Sequence, residues 1–159
     1  NKNNTMDAIV HLAAIVSTAD ALSNPLRTLQ VNVVGTTNLL QSIGLSNKVK
    51  TKPWIFIASS AHVYLPSENK LHENSRLEPI SLYGITKLHA EQLSKICSEL
   101  YRLKICIGRI CSFTSYNQPN SFFIPALINK ISSSPENSKL FIPGLLGTRD
   151  YLSINELTK

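Results

Sequence analysis

Short apolar runs alternate with helical repeats along this chain, and their order predicts an α/β fold. The runs at residues 7–14, 54–58 and 104–110 have the length and composition of buried parallel strands. Between them, apolar residues recur at near-helical spacing over residues 24–44 and again over residues 82–103. Strands that alternate with helices favour a parallel sheet with helical crossovers.

Residues at the ends of the first predicted helix have the types that such positions prefer. Asn24 and Pro25 suit the N-cap and the first helical position, and Gly44 suits the end of the helix. Gly35 would lie inside this helix, where glycine costs about 1 kcal/mol relative to alanine. We therefore expect close packing against a neighbour at Gly35.

The last third of the chain carries weaker signals. Residues 121–128 predict a further helix, and residues 140–143 predict a short strand. Ser153 and Glu156 have the spacing of a capping box.

Composition narrows the class of protein. The chain has 159 residues, 43% of them hydrophobic and 16% charged, and contains no apolar run long enough to cross a membrane. We expect a soluble, cytoplasmic protein without a membrane partner. The net charge of +6 comes from scattered Lys and Arg, so a nucleic-acid partner, which would rest on charge alone, is not expected. The three Cys and four His lack ligand spacing, and no metal site is expected.

Tyr83 and Lys87 stand four residues apart in the helix predicted over residues 82–103. At that spacing two side chains share one helix face. A phenol loses its proton at about pH 10, and a nearby ammonium group lowers that pKa. We expect Lys87 to act on Tyr83 in this way, so that the phenol exchanges a proton with a hydroxyl or ketone near neutral pH. Such a pair also arises by chance.

A serine pair at the end of a predicted strand strengthens that interpretation. Ser59 and Ser60 follow the apolar run over residues 54–58. Ligands of open α/β sheets bind at the carboxyl ends of the strands. A hydroxyl at that position is suited to hydrogen-bond the substrate oxygen that Tyr83 protonates.

Taken in chain order, these residues resemble the extended short-chain dehydrogenase/reductase family of NAD-dependent nucleotide-sugar epimerases, dehydratases and reductases. The matching positions are Ser60, Glu73, Pro79, Tyr83 and Lys87. Residues 32–40 are similar to the family's Asn-Val-x-Gly-Thr-x-Asn-Leu-Leu segment. The match extends over nearly the whole chain.

The resemblance implies a role for each site residue. Ser60, Tyr83 and Lys87 would be catalytic, with Ser60 orienting the substrate oxygen, Tyr83 as acid/base and Lys87 also holding the nicotinamide ribose. The positions implied at the cofactor are Leu12, Ala13, Ala14, Asn32, Ala58, Ser59, Tyr83, Lys87 and Ile110. The cofactor would be NAD or NADP, since the residue that distinguishes them precedes the matched stretch.

A nucleotide sugar is the implied substrate. Its contacts would be Ser60, His62, Ser112 and Arg149. In the family's sugar 4,6-dehydratases, acidic residues follow the catalytic hydroxyl residue, whereas Ala61 and His62 occupy those positions here. The resemblance therefore favours an epimerase or a keto-sugar reductase.

The resemblance also implies the domain organisation. Residues 1–112 would be the central and later part of a Rossmann-like, doubly wound parallel sheet, and residues 113–159 part of a small substrate-binding region. The sequence has no Gly-x-x-Gly-x-x-Gly after a strand, so we expect a central fragment without the first βαβ unit. A homodimer through the helices that hold Asn32 and Tyr83 is implied. The alternative is a truncated, catalytically inactive relative with a binding or structural role.

Overall fold

The computed structural model describes residues 6–46, 51–143 and 150–159. The chain divides into two compact units, Asn1–Ile110 and Cys111–Lys159. The assignment of cofactor and substrate binding to separate regions stays a prediction.

A three-stranded parallel sheet lies at the centre of the first unit. Its strands, in spatial order, are β1 (Ala8–His11), β2 (Trp54–Ser60) and β3 (Lys104–Ile110). The apolar runs predicted all three strands, although β1 is shorter than its run and β2 continues to Ser60. This arrangement confirms the parallel α/β class. Because parallel strands end at the same edge, Ser60 and Ile110 lie opposite each other there.

The crossover from β1 to β2 is a chain of helical segments. They are α1 (Thr18–Ser23), α2 (Pro25–Leu29), a π-helical turn (Gln30–Gly35) and α3 (Thr36–Leu45). The Asn24 side chain accepts a hydrogen bond from the backbone N–H of Arg27, which confirms the predicted N-cap. Helix α1 was not predicted, and α3 ends at Leu45, one residue past Gly44.

The glycines of this crossover pack differently from the prediction. A Cβ added to Gly35 would meet only the Gln30 carbonyl oxygen, at an ordinary 3.5 Å, so the expected close packing there is wrong. The close approach occurs at Gly44, where an added Cβ would overlap the ring of Tyr101.

Helix α4 (Leu82–Tyr101) connects β2 to β3 and confirms the long predicted helix. It ends at Arg102, whose φ of 52° is left-handed. Helices α3 and α4 contact each other and cover the same face of the sheet. The buried cluster between them and the sheet consists of Leu40, Ile43, Ile55, Ile57, Cys97 and Leu103.

The opposite face of the sheet is more exposed. Val10 is 60% exposed and Trp54 is 44% exposed, and Cys106 is also exposed. These residues alternate with buried or partly buried ones along their strands, as the two-residue period of a strand requires. Among the residues that the structure describes, the crossover helices of this unit therefore cover one face only.

The second unit contains a two-stranded parallel pair, β4 (Ser112–Thr114) with β5 (Tyr151–Ser153). Its helices are α5 (Phe123–Ser132) and α6 (Ile154–Leu157). The predicted capping box of Ser153 and Glu156 is confirmed. The strand predicted at residues 140–143 is wrong, because none of these four residues belongs to a strand, and the Phe141 carbonyl accepts a hydrogen bond from the Lys130 Nζ.

Membrane-spanning helices and metal-binding clusters can be assessed over residues 6–46, 51–143 and 150–159. None of the helices there has both the length and the hydrophobicity that a bilayer crossing requires. No group of three or more His, Cys, Asp or Glu in those ranges is placed to hold a metal ion.

Candidate active site

The first two turns of α4 present Tyr83 and Lys87 beside the end of β2. The helix is capped by Ser81, whose hydroxyl accepts a hydrogen bond from the Gly84 backbone N–H at 3.1 Å. Tyr83 and Lys87 are each 8% exposed, and the Lys87 Nζ lies 5.9 Å from the centre of the Tyr83 ring. The predicted shared helix face is confirmed.

Ser60, at the end of β2, faces the same phenol. Its hydroxyl lies close enough to the phenol to lower the pKa of Tyr83, and its Oγ accepts a hydrogen bond from the His62 backbone N–H at 3.2 Å. Ser60 is 7% exposed. The structure therefore brings together the three residues that the sequence analysis named as catalytic.

The electrostatics of Tyr83 differ from the prediction. Burial raises the pKa of Tyr83, and the hydrogen bond from Ser60 offsets only part of that rise. Lys87 does not bring the pKa towards neutrality, because its Nζ donates to the Ala58 carbonyl oxygen at 2.8 Å rather than to the phenol. The expectation of a lowered pKa at Tyr83 is wrong for the chain as described, and the phenol keeps its proton at neutral pH.

The charge of Lys87 also acts on His11. Burial lowers the pKa of Lys87. Burial, and then the charge of Lys87, lower the pKa of His11. The Nε2 of His11 lies 3.0 Å from the Thr36 hydroxyl, which itself donates to the Asn32 carbonyl at 2.7 Å. That hydroxyl is thus an acceptor for His11, whose Nε2 carries the ring proton.

Asn32 fixes the loop that follows β1. Its Oδ1 accepts from the Ile15 backbone N–H at 2.8 Å, and its Nδ2 donates to the Ile15 carbonyl at 3.0 Å. The same Nδ2 donates to Thr86 on α4, also at 3.0 Å. Asn32 lies in the π-helical turn, a local geometry that is frequent at functional sites. It therefore joins the β1 loop to the helix of Tyr83.

Gly84 allows α4 to approach the 3-10 turn Ala61–Val63. An added Cβ would lie 2.2 Å from the His62 carbonyl oxygen and 3.0 Å from the Cβ of Pro79. Only glycine fits that space. The sequence analysis missed this role, although a glycine in the first turn of a predicted helix, where it weakens the helix, was an available signal.

The sequence analysis also missed the pairing of Glu91 with Arg109. Their side chains are 2% and 16% exposed, and Nη2 of Arg109 lies 2.8 Å from Oε2 of Glu91. Hydrogen bonding to Glu91 raises the pKa of Arg109. The available signal was an acidic residue four positions after Lys87 on the buried side of α4, together with an arginine in an apolar strand.

The strand ends show which residues remain available to a cofactor. Leu12 and Ala13, after β1, are exposed, and Ala14 and Ile110 are partly exposed. The Ser59 hydroxyl donates to Glu91 at 2.5 Å, so any hydrogen bond that Ser59 donates to a cofactor would have to come from its backbone N–H. The carbonyl of Ala58, which was also expected at the cofactor, accepts from Lys87.

The predicted substrate contacts lie in different parts of the chain. His62 is exposed, and its ring meets the Tyr83 ring edge-on with 5.6 Å between the ring centres. Ser112 is partly buried in β4 of the second unit. Arg149 lies outside the described residues, so its role stays a prediction.

A family model described as GDP-mannose 4,6 dehydratase matches residues 2–159, nearly the whole chain. The chain belongs to this family. The predicted membership of the extended short-chain dehydrogenase/reductases is confirmed, since the relatives of the chain are nucleotide-sugar epimerases and reductases.

Two curated relatives show how much of the family this chain spans. The GDP-6-deoxy-D-mannose reductase of Pseudomonas aeruginosa is 27% identical over 157 residues, which cover 95% of this chain and 51% of the reductase. The UDP-glucose 4-epimerase of Streptococcus mutans is 28% identical over 165 residues, which cover 95% of this chain and 49% of the epimerase. The chain spans about half the length of these relatives.

Solved structures agree with this family. The structure of RMD from Pseudomonas aeruginosa complexed with NADPH is similar with a TM-score of 0.73 and 29% identity, covering 81% of this chain and 43% of that one. The UDP-glucuronic acid 4-epimerase from Bacillus cereus, in complex with UDP-glucuronic acid and NAD, has a TM-score of 0.81 over 96% of this chain and 47% of its own. At 22% identity, the second comparison supports the fold alone.

Proposed function

We propose that this chain carries the acid–base half of the active site of an NAD(P)-dependent enzyme that transfers hydride at a sugar carbon of a nucleotide sugar. The observation that carries this proposal is the convergence of Ser60, Tyr83 and Lys87 at the carboxyl edge of the parallel sheet. Relatives of the chain, a GDP-6-deoxy-D-mannose reductase and a UDP-glucose 4-epimerase, are named for nucleotide sugars. An epimerase or a keto-sugar reductase is the reaction class that we favour.

In the reductive direction, Tyr83 donates its phenolic proton to the sugar carbonyl oxygen. The pKa of Tyr83, raised by burial, keeps this proton in place until the substrate oxygen becomes basic. Ser60 orients that oxygen, because its hydroxyl already contacts the phenol. The same hydroxyl favours the phenolate that remains, since its contact with Tyr83 lowers the pKa of the phenol.

The described residues fit the nicotinamide end of a dinucleotide. When it is bound, the nicotinamide supplies or accepts the hydride. Lys87 has two donors beyond its bond to Ala58, which suits the ribose hydroxyls. The exposed strand end at Leu12 and Ala13 leaves a surface open beside it. Solved structures similar to the chain are complexes with NAD or with NADPH, and the cofactor that we propose is accordingly NAD or NADP.

The sugar would lie against Ser60 and His62, and the substrate contacts implied for Ser112 and Arg149 stay predictions. His62 is suited to this contact, because its exposed ring already touches Tyr83. Neither Ala61 nor His62 is a carboxylic acid, so the water-elimination chemistry of a dehydratase is not what we propose.

The experiment takes a full-length protein that contains residues 1–159. It is incubated with NAD or NADP and with UDP- and GDP-sugars in turn, and the sugar products are analysed by mass spectrometry and NMR. We expect a C4 epimer or a reduced keto sugar. If no nucleotide sugar is converted while the protein stays folded, the catalytic proposal fails.

The second candidate is a catalytically inactive relative with a binding or structural role. Binding of a nucleotide sugar without turnover, in the same experiment, would select it.

We further propose a homodimer through the helices that hold Asn32 and Tyr83. Apolar side chains on these segments are exposed: Leu26 by 75%, Ile96 by 58% and Leu100 by 67%. Sedimentation of the chain should show a dimer that Ile96→Glu weakens, and a monomeric wild-type chain would rule it out. A cytoplasmic location also stays a prediction.

A further inference from the structure

The ion pair of Glu91 and Arg109 joins helix α4 to strand β3. The Nη2 of Arg109 lies 2.8 Å from Oε2 of Glu91, and its Nε lies 3.1 Å from each carboxylate oxygen. Two nitrogens thus hold one carboxylate, a geometry that fixes orientation as well as distance. Glu91 stands one helical turn after Lys87.

The remaining atoms of the pair bind two other segments. The Ser59 hydroxyl donates to Oε1 of Glu91 at 2.5 Å. Nη1 of Arg109 donates to the Tyr64 hydroxyl at 2.9 Å and to the Glu73 carbonyl at 2.8 Å. The network therefore connects α4, the end of β2, strand β3 and the loop between β2 and α4.

Stability alone is a poor explanation for such a network. A buried ion pair often adds little to stability compared with apolar residues of the same volume, and fixing one arrangement among several is its better-attested use. The arrangement that this pair fixes is specific. Ser59 directly precedes Ser60, and Glu91 shares α4 with Tyr83 and Lys87, so the pair holds both sides of the Ser60–Tyr83 contact.

We propose that Glu91 and Arg109 are positioning residues that set the register of α4 against the end of β2, and thereby the contact between the Ser60 hydroxyl and the Tyr83 phenol. Neither side chain reaches the phenol itself, so both act through Ser59 and the backbone of α4. The importance of this ion pair for catalysis rests on the proposed function, whereas its effect on the geometry of the site can be tested without cofactor or sugar.

The test measures the coupling between Glu91 and Ser60 at the Tyr83 ring. The 159-residue chain is labelled with ¹³Cζ-tyrosine, and the Tyr83 signal is assigned by its loss in Tyr83→Phe. Ser60→Ala shifts this signal at neutral pH by removing the hydroxyl beside the phenol. We expect Glu91→Gln to cut that Ser60→Ala shift to about one third or less, because coupled sites are not additive.

Two further variants make the result decisive. Arg109→Lys keeps the charge but loses the planar fork, and it should cut the Ser60→Ala shift as Glu91→Gln does. The Arg109→Lys variant also tests the proposal by itself if the Glu91→Gln variant does not fold. Arg76→Gln is the matched control, because it removes the exposed Arg76–Glu78 ion pair and should leave the shift at its wild-type size.

Urea unfolding of the same variants separates positioning from stability. A pair that only stabilises the chain would lower the free energy of unfolding and leave the Ser60→Ala shift at full size in both Glu91→Gln and Arg109→Lys. That result would overturn the proposal. Because no turnover is measured, a failure of the proposed function cannot produce either outcome.

Discussion

Replacement of Gly84 by alanine should damage the site through one added methyl group. The new Cβ would lie 2.2 Å from the His62 carbonyl oxygen, and ordinary contacts begin at 3.4 Å. Removing this overlap requires α4 and the 3-10 turn to separate by roughly 1 Å, since the His62 carbonyl and the Gly84 Cα that carries the new methyl group are both backbone. Overpacking of this kind costs about 1–3 kcal/mol. A displacement of that size at the catalytic helix also costs roughly a hundredfold in turnover.

Gly35→Ala is the matched control, because it adds the same methyl group to a helical glycine with ordinary space around it. Its Cβ would meet only the Gln30 carbonyl oxygen, at 3.5 Å. This variant should be neutral or more stable by up to about 1 kcal/mol, the difference in helix propensity. Urea unfolding of the 159-residue chain measures both variants. Equal free energies of unfolding for Gly84→Ala and Gly35→Ala would refute the packing argument.

Three further predictions concern stability and cofactor binding. Lys52→Met should lower the free energy of unfolding by about 1–2 kcal/mol, because the Lys52 Nζ donates hydrogen bonds to the Gly44 and Tyr101 carbonyls near the ends of α3 and α4. An unchanged urea midpoint would contradict this prediction. Burial and then Lys87 lower the pKa of His11, so the unfolded chain binds that proton more tightly. Stability should therefore fall as pH drops through about 6.5 and below, and His11→Gln should flatten this dependence in urea unfolding; an equal slope would refute the assignment. The 159-residue chain should bind NAD weakly, since its sequence has no glycine-rich turn for the pyrophosphate, and a submicromolar dissociation constant by calorimetry would disprove this.

The long elements of the fold were predictable because their patterns are local. The 3.6-residue period over α4 and the apolar runs of β2 and β3 are read directly from neighbouring residues. The π-helical turn at Gln30–Gly35 was not predictable, since its pattern of apolar residues does not differ visibly from that of an α-helix. The strand predicted at residues 140–143 failed because a strand also needs a partner, which an apolar run does not specify.

The site also combines features that follow from nearby residues with features that depend on distant ones. Tyr83 and Lys87 are close in sequence, and their shared helix face follows from spacing alone. The pKa of Tyr83 depends on burial by distant segments, so the sequence analysis had its direction wrong. The Glu91–Arg109 pair joins residues that are 18 positions apart and on different elements. Such a pair emerges only once the register of α4 against β3 is known.

The most direct test of the account is the turnover of Tyr83→Phe in a full-length protein that contains this chain. Phenylalanine keeps the ring and removes only the proton donor, while Tyr101→Phe removes a phenol at the far end of the same helix. Turnover should fall by at least about a hundredfold in Tyr83→Phe and stay at the wild-type level in Tyr101→Phe. Near-normal turnover in a folded Tyr83→Phe protein would contradict the assignment of Tyr83 as the acid–base residue.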